Sequence, residues 1–296
     1  MMLAVAPADP EGHSRVDIFR RALDDAGWTD GRDVSIEVGW YHGNLEKARQ
    51  VARELVAGGS EVLVVNGTPG MDAVRELKIT LPVVFNVVSN PVGAGYVPNL
   101  SRPGANITGF STFEPEIAGK WLQIIRQIAP GLRVINMLLD PKFTNFTSLW
   151  QSLEEIAPRQ GVRARRADVS SLAEIEWQLT EISRQEQPAL IVAPSPVNTV
   201  NRIRIFALAQ ELRIPAIYPF RFYLRDGALV TYGFNVADQF KRTAGYVARI
   251  LAGETAGELP VQLPSVFELG INLKVAKAMG LSIPQSLLIA ADEIAE

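Results

Sequence analysis

Strand-like and helix-like segments alternate from one end of the chain to the other, and this rhythm limits the possible folds more than any other feature. Leu3–Ala6 reads as a short strand. Arg15 to Ala26 places Val16, Phe19, Ala22 and Leu23 on one helical face. Asp33–Tyr41 alternates Val34, Ile36 and Val38, a strand pattern. Leu45–Ala57 reads as a helix, Val62–Val65 as a strand, Gly70–Leu77 as a helix and Val83–Val88 as a strand. Parallel strands need long crossover connections, usually helical, so this order predicts a mainly parallel sheet covered by helices.

The rhythm restarts after Gly109. Helices are expected at Ile117–Ile128, Phe146–Ala157, Leu172–Arg184 and Val200–Leu212, alternating with strands at Val134–Leu139, Val162–Ala167, Leu190–Ala193 and Ile214–Tyr218. A strand at Ala228–Tyr232 and a long helix at Val236–Leu251 follow. The stretch "LPVQLPSVFELGIN" carries Pro260 and Pro264, which suits a crossing strand or linker better than a sheet centre. Leu273–Met279 closes as a helix with Gly280 at its stop. A chain of 296 residues accommodates two such α/β sheets more readily than one very large one.

Composition removes several functional classes. Lys+Arg 29 against Asp+Glu 32 leaves a formal charge of -3, with no basic run of the kind that tracks nucleic acid. Cysteine is absent, which excludes disulfides, thiol catalysis and cysteine zinc sites. No stretch of about 18 apolar residues marks a membrane span. The opening "MMLAVAPADPEGHSRVDIF" lacks the basic end and long apolar core of a signal peptide, so the sequence is expected either to begin just after a removed export leader or to be cytoplasmic. Gly93-Ala94-Gly95 lacks the third glycine of a dinucleotide fingerprint, and no phosphate-binding G-x-x-x-x-G-K-[ST] loop occurs. The two histidines, His13 and His42, lie in no triad or G-x-S-x-G setting. Carboxylates and histidines do not cluster at ligand spacing. No catalytic residue, metal or cofactor is therefore expected.

What the strand ends share is more informative. Apolar runs stop at Asn66-Gly67-Thr68-Pro69, Ser89-Asn90-Pro91, Asp140-Pro141 and Pro194-Ser195-Pro196. Each junction sets a small oxygen-bearing side chain before proline, which suits a helix N-cap followed by the first helical residue. In open parallel sheets the same place, outside the carboxyl ends of the strands, is where ligands bind. Helix N-termini there offer unpaired N–H groups and positive charge to carboxylates or phosphates. Thr68 is expected to do both, capping a helix and holding an anion, with Gly67 letting the backbone approach. Aromatic residues crowd other strand ends: Trp40-Tyr41, "YPFRFY" with Tyr218, Phe220, Phe222 and Tyr223, and Tyr232-Gly233-Phe234. Most fit core packing, and one or two would make flat walls for an apolar ligand.

Several stretches together resemble bacterial ABC-transporter substrate-binding proteins of the tryptophan/tyrosine type: "LPVVFNVVSNPVGAGYVPNLSRPGANITGFS", "GKWLQIIRQIAPGLRV", "IPAIYPFRFY", "YGFNVADQFKRTAGYVARILAGE" and "LPVQLPSVFELGINLKVAKAMGLSIPQSLLIAADEIAE". The resemblance covers nearly the whole chain. It implies a type I periplasmic-binding-protein fold of two doubly wound α/β lobes joined by three crossing segments. Lobe one would comprise residues 1–111 and 233–262, and lobe two residues 112–232 and 263–296, with a ligand cleft between them. It also implies an extracytoplasmic monomer that binds a small apolar or aromatic amino acid, or a related carboxylic acid, by cleft closure and delivers it to an ABC permease.

The expected ligand-binding residues are Asn66, Gly67, Thr68, Ser89, Asn90, Ser111 and Asn235 in lobe one, and Asp140, Asn145, Ser195, Tyr218 and Tyr232 in lobe two. The family's S/D-P-V-G motif has Asn90 where Asp is common, and Asn235 stands where Asp is often found; a neutral amide would bond a ligand ammonium without charge assistance. A ligand-sensing regulator or receptor with the same two-lobe fold is the alternative, and a two-domain enzyme a further one.

Overall fold

The computed structural model describes residues 1–112, 115–141 and 147–296. The chain divides into two units, Met1–Thr112 with Asn235–Val266, and Phe113–Phe234 with Phe267–Glu296. It passes between them three times, at 112/113, 234/235 and 266/267.

The first unit begins with β1 (Met2–Leu3), α1 (Pro10–Asp25), β2 (Gly39–Trp40), α2 (Leu45–Ala57), β3 (Leu63–Asn66), α3 (Thr68–Glu76), β4 (Val83–Val88) and β5 (Ile107–Ser111). The strands form one parallel sheet in the order β2-β1-β3-β4-β5. Amphipathic spacing explains the helices: α2 buries Ala48, Val51, Ala52 and Leu55, and Asn44 caps it by accepting from the Lys47 N–H. The core runs from Met2 and Leu63 through Val65, Met71, Phe85 and Val88 to Val261.

The second unit continues with α4 (Ile117–Ile128), β6 (Val134–Leu139), α5 (Thr147–Arg159), β7 (Arg163–Asp168), α6 (Leu172–Ser183), β8 (Pro188–Val192), α7 (Pro196–Val200), α8 (Arg202–Glu211), β9 (Ala216–Tyr218) and β10 (Val230–Phe234). The chain then returns to the first unit as α9 (Val236–Leu251), whose buried Val236, Phe240, Ala244 and Val247 form one stripe. It ends in the second unit with β11 (Phe267–Asn272), α10 (Leu273–Ala278), α11 (Gln285–Ala290) and β12 (Glu293–Ala295). This sheet has the order β12-β11-β10-β9-β8-β6-β7, and β10 with β11 is its antiparallel pair.

The same winding occurs twice. Strands β7-β6-β8-β9-β10 repeat the order β2-β1-β3-β4-β5. Each sheet therefore has a switch point where successive connections leave in opposite directions, at β1/β3 and at β6/β8. In open α/β sheets the crevice at such a point binds ligands.

Two expectations from the sequence are corrected, and a third, that the stretch with Pro260 and Pro264 avoids a sheet centre, agrees with the structure. The strand expected over Asp33–Tyr41 joins the sheet at Gly39–Trp40, opposite Met2 and Leu3 of β1, while upstream Val34 makes an isolated bridge to Asp30 instead. The strand expected at Leu3–Ala6 leaves the sheet after Leu3, and the Asp9 N–H turns back onto the Ala6 carbonyl. The extended piece before β11 runs beside the edge strand β5: Ser111 N–H donates to the Gln262 carbonyl, and Gln262 N–H to that of Gly109. Pro260 and Pro264 are thus tolerated at an edge.

Candidate functional site

In the first unit, the end of β3 is held by a buried polar chain. Asn66 Oδ1 accepts from Arg15 Nη1 at 3.3 Å and from the Ala4 N–H at 3.4 Å, while its Nδ2 donates to Asn86 Oδ1 at 2.9 Å. Asn86 Nδ2 donates to Thr243 Oγ1 at 3.3 Å. A side-chain amide thus ties β1 to β3 at the switch point and continues the tie to β4 and α9. Arg15 is buried, paired with Glu11 at 3.1 Å, and its guanidinium lies over the Phe240 ring.

The junction itself overturns one expectation. The N-cap of α3 is Gly67, not Thr68, and no side chain caps the helix in the usual way. Gly67 has φ 94° and ψ 157°, and an added Cβ would lie 3.1 Å from the Tyr41 hydroxyl and 3.3 Å from Ala4 Cβ. The Tyr41 phenol takes the capping role. It is fully buried, donates to the Asn66 carbonyl and accepts from the Gly70 N–H. Burial pushes its pKa well up, and the Gly70 N–H only partly opposes this. Gly67 N–H is also engaged, by the Asn86 carbonyl at 2.9 Å. Thr68 is the first helical residue and half-buried, and neither its N–H nor its hydroxyl has a hydrogen-bond partner among the described residues. Those two donors sit at the positive end of α3, at the switch point.

The ends of β4 and β5 are joined through α9. Val87 has φ 55°, a costly conformation for a β-branched residue, at a register shift in β4. Gln239 holds this bulge: its Oε1 accepts from the Val87 N–H at 3.3 Å and its Nε2 donates to the Ser111 carbonyl at 2.6 Å. Ser89 Oγ bonds Thr112 Oγ1, and both residues are buried. Ser111 Oγ is buried with no partner among the described residues. Asn90 is exposed at φ 46°, and its Oδ1 accepts from the Gly93 N–H at 3.0 Å. Asn235 caps α9, accepting from the Asp238 N–H at 2.7 Å. Asparagine at both places meets a local backbone need.

In the second unit, Asp140 follows β6 and is buried. Ser195 caps α7, accepting from the Asn198 N–H at 3.2 Å. Asn198 ties the switch point as Asn66 does in the first unit: its Nδ2 donates to the carbonyls of Leu138 at 3.2 Å and Ala193 at 2.9 Å, and its Oδ1 is buried without a partner among the described residues. Tyr218 ends β9 inside an aromatic cluster, with its ring 4.7 Å from that of Phe206 and 6.4 Å from that of Tyr223. Burial pushes its phenol pKa up. Tyr232 stacks on Phe267 at 5.9 Å with Lys120 over its ring, in mid-strand rather than at a strand end. Asn145 lies outside the described residues.

The structure thus gathers Asn66, Gly67 and Thr68 at one switch point, and Asp140 and Ser195 at the other. It bonds Ser89 to Thr112, sets Ser111 at the end of β5, and places Asn90 and Asn235 in local caps. Sequence reasoning missed Tyr41, Arg15, Asn86, Gln239 and Asn198. Asparagine two residues after Pro196 on a short helix was a weak signal for Asn198; for Tyr41 there was none beyond an aromatic strand end. His13 bonds the Pro7 carbonyl at 2.7 Å, and His42 occupies a turn at φ 50°. Among the described residues, no group of three His, Cys, Asp or Glu could hold a metal, and no helix is long and apolar enough to cross a membrane.

Two α/β units with repeated winding give this chain the fold of type I periplasmic-binding-protein and LacI-type structures. The chain belongs to the ABC transporter substrate binding protein family, whose sequence profile matches residues 9–295. It is thus the substrate-binding component of an ABC transporter, in a family of binding proteins rather than enzymes. It is 23% identical over 282 residues to a tyrosine-binding protein of Clostridioides difficile (strain R20291), covering 94% of this chain and 81% of that one. A conserved domain protein from Vibrio cholerae O1 biovar El Tor superposes with a TM-score of 0.90 at 27% identity, over 99% of this chain and 97% of that one. An ABC domain from Streptococcus pneumonia in complex with L-Trp superposes with a TM-score of 0.90 at 23% identity, with the same coverage.

Proposed function

We propose that this chain binds a small aromatic or branched amino acid, or a related carboxylic acid, and presents it to a membrane permease outside the cytoplasm. The observation that carries this reading is the pair of unpartnered donors on Thr68 at the amino end of α3, where neighbouring donors are already used by Tyr41 and Asn86. A carboxylate there receives an N–H, a hydroxyl and the positive end of the helix. Buried Arg15, bonded to Asn66, adds positive charge to the same strand end.

The ammonium of the ligand falls to Asp140, the buried carboxylate at the switch point of the second unit. Asn90 and Asn235 are occupied as caps, so their being neutral amides does not count against an amino acid. The ligands named for two relatives, tyrosine and L-Trp, support an aromatic side chain. A ligand favours, by its differential affinity, the conformation that binds it best, and that conformation is what the permease recognises.

Titration calorimetry with L-Trp, L-Tyr, L-Phe and L-Leu, and with the corresponding amides, tests the reading. Binding of at least one free amino acid, and its weakening in the amide, is expected. Stabilisation by sugars or polyamines alone would overturn it.

A further inference from the structure

Strand β4 is bulged where it meets β5. Phe85 pairs with Gly109 and Val88 with Ser111, so Asn86 and Val87 together stand opposite the single residue Phe110. Two hydrogen bonds lead from this bulge to the turn that carries Thr68. The Asn86 carbonyl accepts from the Gly67 N–H at 2.9 Å, and Asn86 Oδ1 accepts from Asn66 Nδ2 at 2.9 Å. Asn66 and Gly67 immediately precede Thr68, so the position of Asn86 governs the direction of the Thr68 donors.

The bulge does not hold itself. Val87 has φ 55°, a left-handed conformation that crowds a β-branched side chain. Such strain persists only where the surroundings over-determine it. Gln239 of α9 supplies the restraint from both strands: one end of its amide accepts from the Val87 N–H at 3.3 Å, and the other donates to the Ser111 carbonyl at 2.6 Å. Gln239 is buried, and its main-chain carbonyl accepts from Thr243 Oγ1 at 2.7 Å, the same hydroxyl that accepts from Asn86 Nδ2. Helix α9 therefore grips both residues of the bulge, Val87 through Gln239 and Asn86 through Thr243. All of these groups belong to the first unit.

We infer that Gln239 is a positioning residue for ligand binding: it holds Val87 in its strained conformation, and the bulge so formed places Asn86, Gly67 and the donors of Thr68. The inference rests on the carboxylate seat proposed at Thr68. A glutamine that served stability alone would leave the preference for a carboxylate over its amide untouched. One that positions the seat contributes most when the ligand carries the charge that the seat receives. Glycine adopts positive φ without crowding, so Val87→Gly lets the bulge form without the glutamine's help.

The test uses the full chain in four forms: unaltered, Gln239→Met, Val87→Gly and the two together. Calorimetry is run with whichever of L-Trp, L-Tyr, L-Phe and L-Leu binds the unaltered protein most tightly, and with its amide. Gln239→Met is expected to weaken binding of the free amino acid by about five- to tenfold, the size of coupling usual within one hydrogen-bond network, and binding of the amide by less. Adding Val87→Gly is expected to restore most of the lost affinity, while Val87→Gly alone changes it by less than about twofold. Hydrogen exchange at the Gly67 amide should rise in Gln239→Met and fall back in the double variant. Unchanged affinity in Gln239→Met, or equal weakening of acid and amide, would overturn the inference. So would a loss that Val87→Gly fails to restore, since the glutamine would then act by some route other than the bulge. Thr68→Val separates these outcomes from failure of the seat itself: if it leaves the affinity unchanged, or if none of the four amino acids binds, the seat is wrong and the inference falls with it.

Discussion

The Tyr41 hydroxyl donates to the main-chain carbonyl of Asn66, across 25 residues of sequence, and accepts the Gly70 N–H at the same oxygen. One phenol thereby closes the turn from β3 into α3 and does what no local side chain does for that helix. Tyr41→Phe keeps the ring and deletes both bonds. It leaves a carbonyl and an amide buried without partners, at a cost of about 2–4 kcal/mol. Denaturant titration should show a lower midpoint with an unchanged slope; an unchanged midpoint would mean that the turn holds without the phenol.

Buried tyrosines also govern the alkaline limit. Burial raises the pKa of Tyr41 and of Tyr218 in the folded state. The unfolded chain loses these protons near pH 10, while the folded chain keeps them. Above that pH the unfolded state binds fewer protons, so stability falls as pH rises and is fully present below it. The expected slope is up to about 1.4 kcal/mol per pH unit for each tyrosine. Unfolding free energies measured between pH 8 and 11 should be flat and then decline, and Tyr218→Phe should reduce the decline.

Much of this fold was legible in the sequence, and the parts that were not share a cause. The spans of α2, β4, α4, β6 and α9 follow from apolar periodicity within each segment. The alternation at Val34, Ile36 and Val38 was equally clear, yet the sheet is joined at Gly39–Trp40 and Val34 bridges to Asp30 instead, because pairing is a property of the neighbour as well. At the site, Ser195 and Asn235 could be read as caps from the residues that follow them. Thr68 looked the same and is not a cap, since the helix starts one residue earlier on a glycine that only the Tyr41 contact explains. Hydrogen bonds such as those of Asn86 with Thr243, or Gln239 with Ser111, link residues more than a hundred positions apart and have no local signature.

Asn198 repairs the second switch point with two bonds from one amide nitrogen. Asn198→Leu removes both and leaves the Leu138 and Ala193 carbonyls without that donor. A loss of about 1–3 kcal/mol is expected, offset in part because the unpaired Oδ1 is removed too. Faster hydrogen exchange confined to the ends of β6 and β8 would identify the local origin. Uniformly faster exchange would instead indicate a global packing defect.

Thr68→Val separates holding the helix from holding the ligand. The substitution preserves shape and deletes the hydroxyl. Because Tyr41 rather than Thr68 serves the end of α3, stability should change by less than about 0.5 kcal/mol, as for a residue outside any named network. Affinity should fall by about tenfold or more, since a hydrogen bond to a charged group contributes roughly 1.5–3 kcal/mol. The corresponding amide should be affected less, because a neutral group forms the weaker bond. Calorimetry with an amino acid and its amide on both proteins gives four affinities. If Thr68→Val weakens neither compound, the carboxylate lies elsewhere and the proposed seat at α3 is wrong. If it weakens both equally, the hydroxyl contributes to binding without recognising the charge.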